Sequence, residues 1–398
     1  MRLSSRIGRI QPSATLSINA KAKALKQSGV NVINFGVGEP DFDTPEPIRD
    51  AGIEAIRKGK TRYTPVGGID ELKDAVCNTL KADYGLAYKR ENVMISCGGK
   101  QALYNLFLTI LDPGDEVIIP APYWVSYPDM VALADGKTVA VSCPEEDGFI
   151  LRPEALEKAI TPKTRALILN SPSNPTGKYY GEENLKALAE VLLRHENVLI
   201  VSDDIYYRIL FGGRKWANMA MVEEKLRDRT FIVNGVSKTY CMTGWRIGYL
   251  VGNAQAIKAA TDLQSQSTSN ATSISQWASV EALNGSQDVV AEMARTFEKR
   301  CRRILEHFSE MPGVTCPEPD GAFYVFPNFS AYYGKKAGDK TISNSVDMAG
   351  YLMEAAHVAA VPGSAFGEDK CVRFSYALSM EEIDAGFDSV KKALRNLK

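Results

Sequence analysis

Apolar residues along this chain fall into two alternating rhythms. Seven short runs, 92–97, 116–119, 138–142, 166–170, 198–202, 230–234 and 247–251, are rich in Val, Ile and Leu, several of them at consecutive positions. A strand covered on both faces reads this way, because successive side chains point to opposite sides of the sheet. Between the runs, apolar residues recur every three or four positions. Leu185, Leu188, Ala189 and Leu192 make one buried helical stripe. Segment 101–111 closes on Asp112-Pro113-Gly114, a helix-stop signal. Strands alternating with helices predict an α/β unit whose mostly parallel, seven-stranded sheet is flanked by helices.

From about residue 290 the pattern changes. Val290, Met293, Phe297, Cys301, Ile304 and Phe308 describe a long amphipathic helix. Short β-like runs follow at 322–326 and 371–376, with helical stripes at 346–356 and 383–394. This predicts a smaller α+β domain built from 290–398 together with the N-terminal arm 1–45, and a large domain over 46–289. The turn-rich Gly36-Val-Gly-Glu-Pro-Asp41 then falls at the junction between the two, a common place for a site.

Composition narrows the function. The chain has 398 residues, 45% hydrophobic and 24% charged, enough for two or three folding units. Its 47 basic and 48 acidic residues nearly cancel, so a nucleic-acid partner is not expected and charge-based recognition must be local. None of the seven cysteines pairs with another at metal-ligand spacing, and the three histidines are not spaced as ligands. No metal site is expected, and the thiols read as reduced. Arg2, Arg6 and Arg9 are followed by no apolar signal core, since Gly8, Gln11 and Pro12 interrupt it. The charge-free stretches 102–111 and 117–128 fall far short of the ~20 residues that span a bilayer. A cytoplasmic chain without membrane contact is the expectation.

One stretch carries chemistry directly: Gly235-Val-Ser-Lys-Thr-Tyr-Cys-Met-Thr-Gly-Trp-Arg-Ile-Gly248. Lys238 stands just beyond a predicted strand, and a lysine whose amine is kept partly neutral can form a Schiff base with a carbonyl cofactor. Ser237 and Arg246 suit a phosphate, one by its hydroxyl and the other by its guanidinium fork. Ser96-Cys-Gly-Gly-Lys100 opens the next predicted helix, where free amides and close approach make a phosphate cradle. It is neither a P-loop nor a dinucleotide fingerprint, because Met94 and Gln101 stand where a P-loop needs Gly and Ser or Thr. Arg373 lies in the otherwise apolar Val-Arg-Phe-Ser-Tyr run, and a buried arginine is costly unless it meets an anion.

The lysine stretch resembles the pyridoxal-phosphate attachment signature of class I aminotransferases. Further stretches follow in the family's order. They are Ser96 to Lys100, Trp124 after Pro120-Ala-Pro-Tyr, Ser171-Pro-Ser-Asn-Pro-Thr-Gly177, Ser202-Asp-Asp-Ile-Tyr206 and the Arg373 run. The resemblance spans nearly the whole chain and implies the fold type I architecture, with pyridoxal 5′-phosphate as cofactor. It implies that Lys238 is the attachment and proton-transfer residue, and that Asp203 keeps the pyridine nitrogen protonated. Tyr206 and Asn174 would bond the ring oxygen, Trp124 would stack on the ring, and Gly99, Lys100, Ser237 and Arg246 would hold the phosphate. Arg373, Gly38 and Asn174 would take the substrate carboxylate. A cis Asn174-Pro175 bond is also implied. Asp204 reads as a solvated acid at a strand end. Tyr63 resembles the tyrosine that reaches a neighbouring subunit's phosphate, which implies a homodimer with shared sites.

The resemblance further implies a two-stroke, ping-pong amino transfer. Thr15 and Lys100 resemble a branch in which the lysine receives a substrate's distal carboxylate, so aspartate and glutamate with their keto acids lead, and prephenate is an addition. Aromatic, kynurenine or alanine specificity is the alternative within the family. The same fold and cofactor also serve lyases and synthases. Cofactor-binding regulators are set aside because the match begins within the first ~40 residues, where such proteins carry a DNA-binding module.

Overall fold

All seven runs form strands of one sheet in the computed structural model, which describes residues 1–10 and 12–398; Gln11 lies outside the described residues. The strands are β1 (Val93–Ser96), β2 (Glu116–Ala121), β3 (Lys137–Ser142), β4 (Thr164–Asn170), β5 (Leu199–Asp203), β6 (Thr230–Gly235) and β7 (Gly248–Val251). Their order is β1-β7-β6-β5-β4-β2-β3. Only β7 runs against its neighbours, antiparallel to both β1 and β6. The helices of about two turns or more are α1 (Ala14–Gln27), α2 (Glu46–Arg57), α3 (Asp70–Tyr84), α4 (Gly99–Ile110), α5 (Tyr127–Leu133), α6 (Pro153–Ala159), α7 (Glu182–Leu192), α8 (Ala254–Ser265), α9 (Ser273–Asn284), α10 (Asp288–Ser309), α11 (Ser345–Ala355) and α12 (Met380–Arg395).

The period-2 alternation of the strands explains the layers. Met94, Val117, Ile119, Ile168, Val201 and Val233 pack on one face with α4 and α8. Their neighbours Val93, Ile95, Ile232 and Tyr249 turn to the other face, against α3 and α9. Ile118, Leu167 and Ile200 meet the predicted leucine stripe of α7 there. Helices α1, α2, α3, α5, α6, α8 and α9 are not among those expected from the sequence. In α9 the buried positions are largely small, Ser275, Ala278 and Ser279 among them, so no apolar stripe marks its inner face.

A second sheet is made of β8 (Tyr324–Val325), β9 (Val361–Pro362) and β10 (Val372–Ser375), antiparallel in the order β9-β10-β8. The predicted run 322–326 shortens to β8 because Ala322 takes a left-handed φ of 59°. Ala322 also donates its amide to Ile209 O at 2.8 Å, outside the sheet. Every apolar position of the predicted long helix is buried in α10, where Met293, Phe297, Cys301, Ile304 and Phe308 pack against Ile383, Phe387 and Val390 of α12. Ile33–Asn34 pairs in parallel with Val358–Ala359, and Phe35 joins the same apolar cluster, which also takes in Tyr206 and Ile209.

One ion pair secures the arm. Asp41 accepts both guanidinium hydrogen bonds of the buried Arg300 in α10, at 2.7 and 2.8 Å. The guanidinium also lies 5.2 Å from the Phe42 ring and 5.7 Å from Phe297. Removing the anion strands a desolvated cation. Asp41→Asn should therefore cost about 2 kcal/mol in urea unfolding, below the fully buried case because Asp41 is partly wet. Adding Arg300→Met should recover most of that loss; a single variant within ~0.5 kcal/mol of wild type would show that the pair does not anchor the arm.

Candidate active site

The C-terminal ends of the parallel strands face one cleft, where α/β sheets place their ligands. Asn170 ends β4, Asp203 ends β5, and Lys238 follows three residues after β6. Because β7 is reversed, its first residue arrives at the same edge, with Gly248 paired to Ser96 on one side and Gly235 on the other. A Cβ on Gly248 would lie 2.2 Å from Gly99 N, and one on Gly98 would lie 2.4 Å from Arg246 Nη2. Glycine at both positions lets the N-terminus of α4 and the Arg246 guanidinium border one space. The early amides of a helix have no intrahelical acceptor, so they and the guanidinium form an anion cradle. Arg246 is held by Thr243 O at 2.8 Å and Cys97 O at 3.2 Å.

A cavity of about 380 Å³ opens beside this cradle. It brings together Thr15, Gly38, Gly99, Lys100, Trp124, Asn174, Asp203, Tyr206, Ser237, Lys238, Arg246 and Arg373. Lys238 donates to Gly38 O. Burial lowers its pKa to about 8, against an opposing pull from Glu39. The Lys100 ammonium lies 4.9 Å from the Trp124 ring, and burial, with Arg246 nearby, lowers its pKa too.

Asp203 and Asp204 are adjacent yet separated in environment. Asp203 lines the cavity, accepting from the Tyr127 hydroxyl at 2.6 Å, and burial raises its pKa to about 6 against that hydrogen bond. Asn170 Nδ2 fixes the Asp203 carbonyl at 2.9 Å. Asp204 turns into the protein and is fully buried, contrary to the solvated acid expected. Ser202 Oγ and Asn218 Nδ2 donate to it at 2.6 and 2.9 Å, and burial raises its pKa to about 8. Backbone alternation at the strand end sends consecutive side chains opposite ways.

Arg373 is 2% exposed and has no carboxylate beside it among the described residues. Nη1 donates to Asn174 Oδ1 at 3.0 Å and Nη2 to Gly36 O at 2.8 Å. The guanidinium sits 4.6 Å from the Tyr324 ring and 5.1 Å from Phe366. Its Nε finds no partner among the described residues. A buried cation with neutral partners and a spare donor is built to receive an anion.

Tyr63 is the one predicted residue outside the cavity. It is 90% exposed beside a separate surface hollow lined by Arg62, Thr268 and Asn270. The Asn174-Pro175 bond is trans; among the described residues the cis bonds are Ser171-Pro172 and Ala121-Pro122. Asn174 is instead fixed through its amide, which donates to Asn170 Oδ1 at 2.8 Å. Sequence reasoning missed Asn170, Tyr127 and Tyr324. Tyr127 follows Trp124 at helical spacing, a usable signal, and the two rings pack edge to face at 5.3 Å. Tyr324, whose hydroxyl is 2.9 Å from that of Tyr206, comes from β8 and had no local mark.

An anion cradle, a depressed lysine and a buried carboxyl fit a phosphorylated carbonyl cofactor with a basic ring nitrogen. The comparisons agree. Residues 30–390 match the family model "Aminotransferase class I and II", and the chain belongs to that family of pyridoxal-phosphate enzymes. It is an aminotransferase. It is 49% identical to the probable aspartate/prephenate aminotransferase of Rhizobium leguminosarum bv. phaseoli over 96% of each chain. Identity to the aspartate aminotransferase of Bacillus subtilis is 47% over 98% of each. The solved aspartate aminotransferase of Rhizobium meliloti superposes with a TM-score of 0.97 over both whole chains at 45% identity. That of Thermus thermophilus with maleate gives 0.93 at 41%, covering 99% of this chain and 100% of its own.

A lowered pKa means that Lys238 gives up its proton earlier than surface lysines. In apoprotein, acylation of Lys238 by an amine-reactive reagent, read by peptide mass, should rise with a midpoint near pH 8. Exposed lysines should rise near ~10.4. A midpoint shared with the surface lysines would contradict the burial argument.

Proposed function

We propose that the protein moves the amino group of aspartate, and of glutamate, to 2-oxoglutarate or oxaloacetate in a ping-pong cycle. The observation that carries this reading is two cations that remain in the cavity once Arg246 is given to the phosphate and Lys238 to the carbonyl: Arg373, buried with a spare donor, and Lys100, over Trp124. A substrate with two carboxylates complements both, whereas an apolar side chain would leave the Lys100 charge unpaired.

Bound pyridoxal phosphate supplies a carbonyl for the amino group and a ring that withdraws electrons from the reacting carbon. The chain's residues do the rest. Arg373 grips the α-carboxylate through its fork, with Gly38 and Asn174 beside it, while Lys100, with Thr15 at the rim, takes the distal one. Neutral Lys238 removes the substrate α-proton and delivers a proton at the cofactor C4′ atom. Asp203, steadied by Tyr127, pairs with the ring nitrogen, and its ionised form is favoured once that cation adjoins it. Tyr206 donates to the ring oxygen and Trp124 stacks on the ring. Gly99, Lys100 (through its backbone), Ser237 and Arg246 hold the phosphate. Prephenate is a second acceptor on this reading, supported by the name of the Rhizobium leguminosarum relative and by the same Lys100.

The two bodies, 46–289 and 1–45 with 290–398, flank this cleft. The apolar cluster centred on α10 and α12 supports that division, and Tyr206, Ile209 and Phe211 tie the larger body to it. A cytoplasmic homodimer completes the reading. Exposed Tyr63 is poised to reach a second copy's phosphate.

The holoenzyme's visible band should bleach on adding aspartate and return with 2-oxoglutarate; Lys238→Ala should retain cofactor yet lose turnover. A Lys238→Ala enzyme with near-normal turnover would remove the lysine from its role. Lys100→Ala should lower kcat/KM for aspartate about 30–100-fold, the size of a charge-assisted bond, and leave alanine nearly unchanged. Equal losses on both substrates would sink the distal-carboxylate role. Sedimentation should give a dimer, with Tyr63→Phe weakening cofactor retention; a monomer with full activity would remove shared sites.

A further inference from the structure

Lys238 and Arg246 stand at the two ends of one loop, and that loop is strained. Cys241 and Arg246 adopt φ of +54° and +57°, a left-handed conformation disfavoured for residues carrying a Cβ. Such conformations persist where the surroundings over-determine them. Here a single side chain from outside the loop touches both strained stretches. Thr44, in the turn before α2, donates its hydroxyl to Cys241 O at 2.7 Å. The same hydroxyl accepts from Trp245 Nε1 at 3.0 Å. A hydroxyl is both donor and acceptor, so one oxygen serves two groups that neither a carbonyl oxygen nor an N–H could serve alone.

The Trp245 ring is fixed on its far side by Gly52 of α2, where a Cβ would come within 2.8 Å of two indole carbons. Trp245 precedes Arg246, so pinning the indole restricts the paths open to the backbone that carries Arg246. Glu39 adds a further tie to the loop alone, accepting from Thr243 Oγ1 at 2.7 Å.

We propose that Thr44 is a positioning residue for the anion cradle, clamping the strained loop so that Arg246 faces the amides of α4. This rests on the reading that the cradle holds the phosphate of pyridoxal phosphate. Thr44 itself does not line the cavity. Its effect should therefore appear in affinity for the phosphate and not in recognition of the amino acid.

The test compares wild type with Thr44→Ser, Thr44→Val and Trp245→Phe, the last keeping the ring while removing its N–H. Apoprotein is titrated with pyridoxal phosphate and, separately, with inorganic phosphate; apoprotein unfolding and KM for aspartate are measured alongside. Thr44→Val should weaken both phosphate ligands about tenfold. Trp245→Phe should shift them in the same direction, and Thr44→Ser should stay within about twofold of wild type, with KM for aspartate unchanged throughout. Unchanged phosphate affinity in Thr44→Val overturns the proposal, as does a loss confined to apoprotein stability. A Thr44→Ser variant as weak as Thr44→Val overturns it too. If wild type itself binds no pyridoxal phosphate, the reading of the site fails with it; if wild type binds and Thr44→Val matches it, only the clamp fails.

Discussion

A guanidinium buried with no carboxylate partner among the described residues organises this molecule. Arg373 is 2% exposed, on a strand of the smaller sheet. A charge so placed is tolerable only if neutral dipoles and ring faces surround it until an anion arrives. Those dipoles come from distant parts of the chain: Gly36 from the arm, Asn174 from the loop after β4, and Tyr324 from β8. Assembling them draws the arm, the large sheet and the smaller sheet to one point. The cleft is where they meet.

The large sheet supplies the opposite tendency, towards closeness of backbone. With β7 reversed, Gly248 lies between β1 and β6 and against the start of α4. Lys238 and Arg246 flank that crossing, so the loop between them has little freedom in its path. Its left-handed residues follow from the need to bring both ends of nine residues to the same edge. Strain and proximity are two aspects of one topology.

Sequence reasoning located what is carried by local pattern. The strands of the large sheet were legible because most are apolar on both faces and the edge strand β3 still alternates, and α10 because its stripe is unbroken. The cavity residues were legible because motif positions sit at strand ends, which the fold gathers. What escaped depends on contacts distant in sequence. Tyr324 matters through Tyr206, 118 residues away. Asp204 looked like its neighbour, but strand alternation buries it among Ser202 and Asn218. The bond before Pro175 gives no local sign of its isomer, and the cis geometry falls instead at Pro172 and Pro122. Helix α9 was missed because small residues bury without an apolar mark.

The pairing of Ile33–Asn34 with Val358–Ala359 has a consequence for how the chain is made. Phe35 likewise accepts from the amide of Ser375, at 2.7 Å. The large sheet closes when β7 is complete, at Val251, and a growing chain can fold that much behind the ribosome. The arm, translated first, has no strand to join until more than a hundred further residues have emerged. Its loop-closure cost is met last, against contacts of very high sequence separation. A segment translated before the sheet is thus docked after it, and the Arg373 site, which needs Gly36 of the arm, is assembled in that final docking.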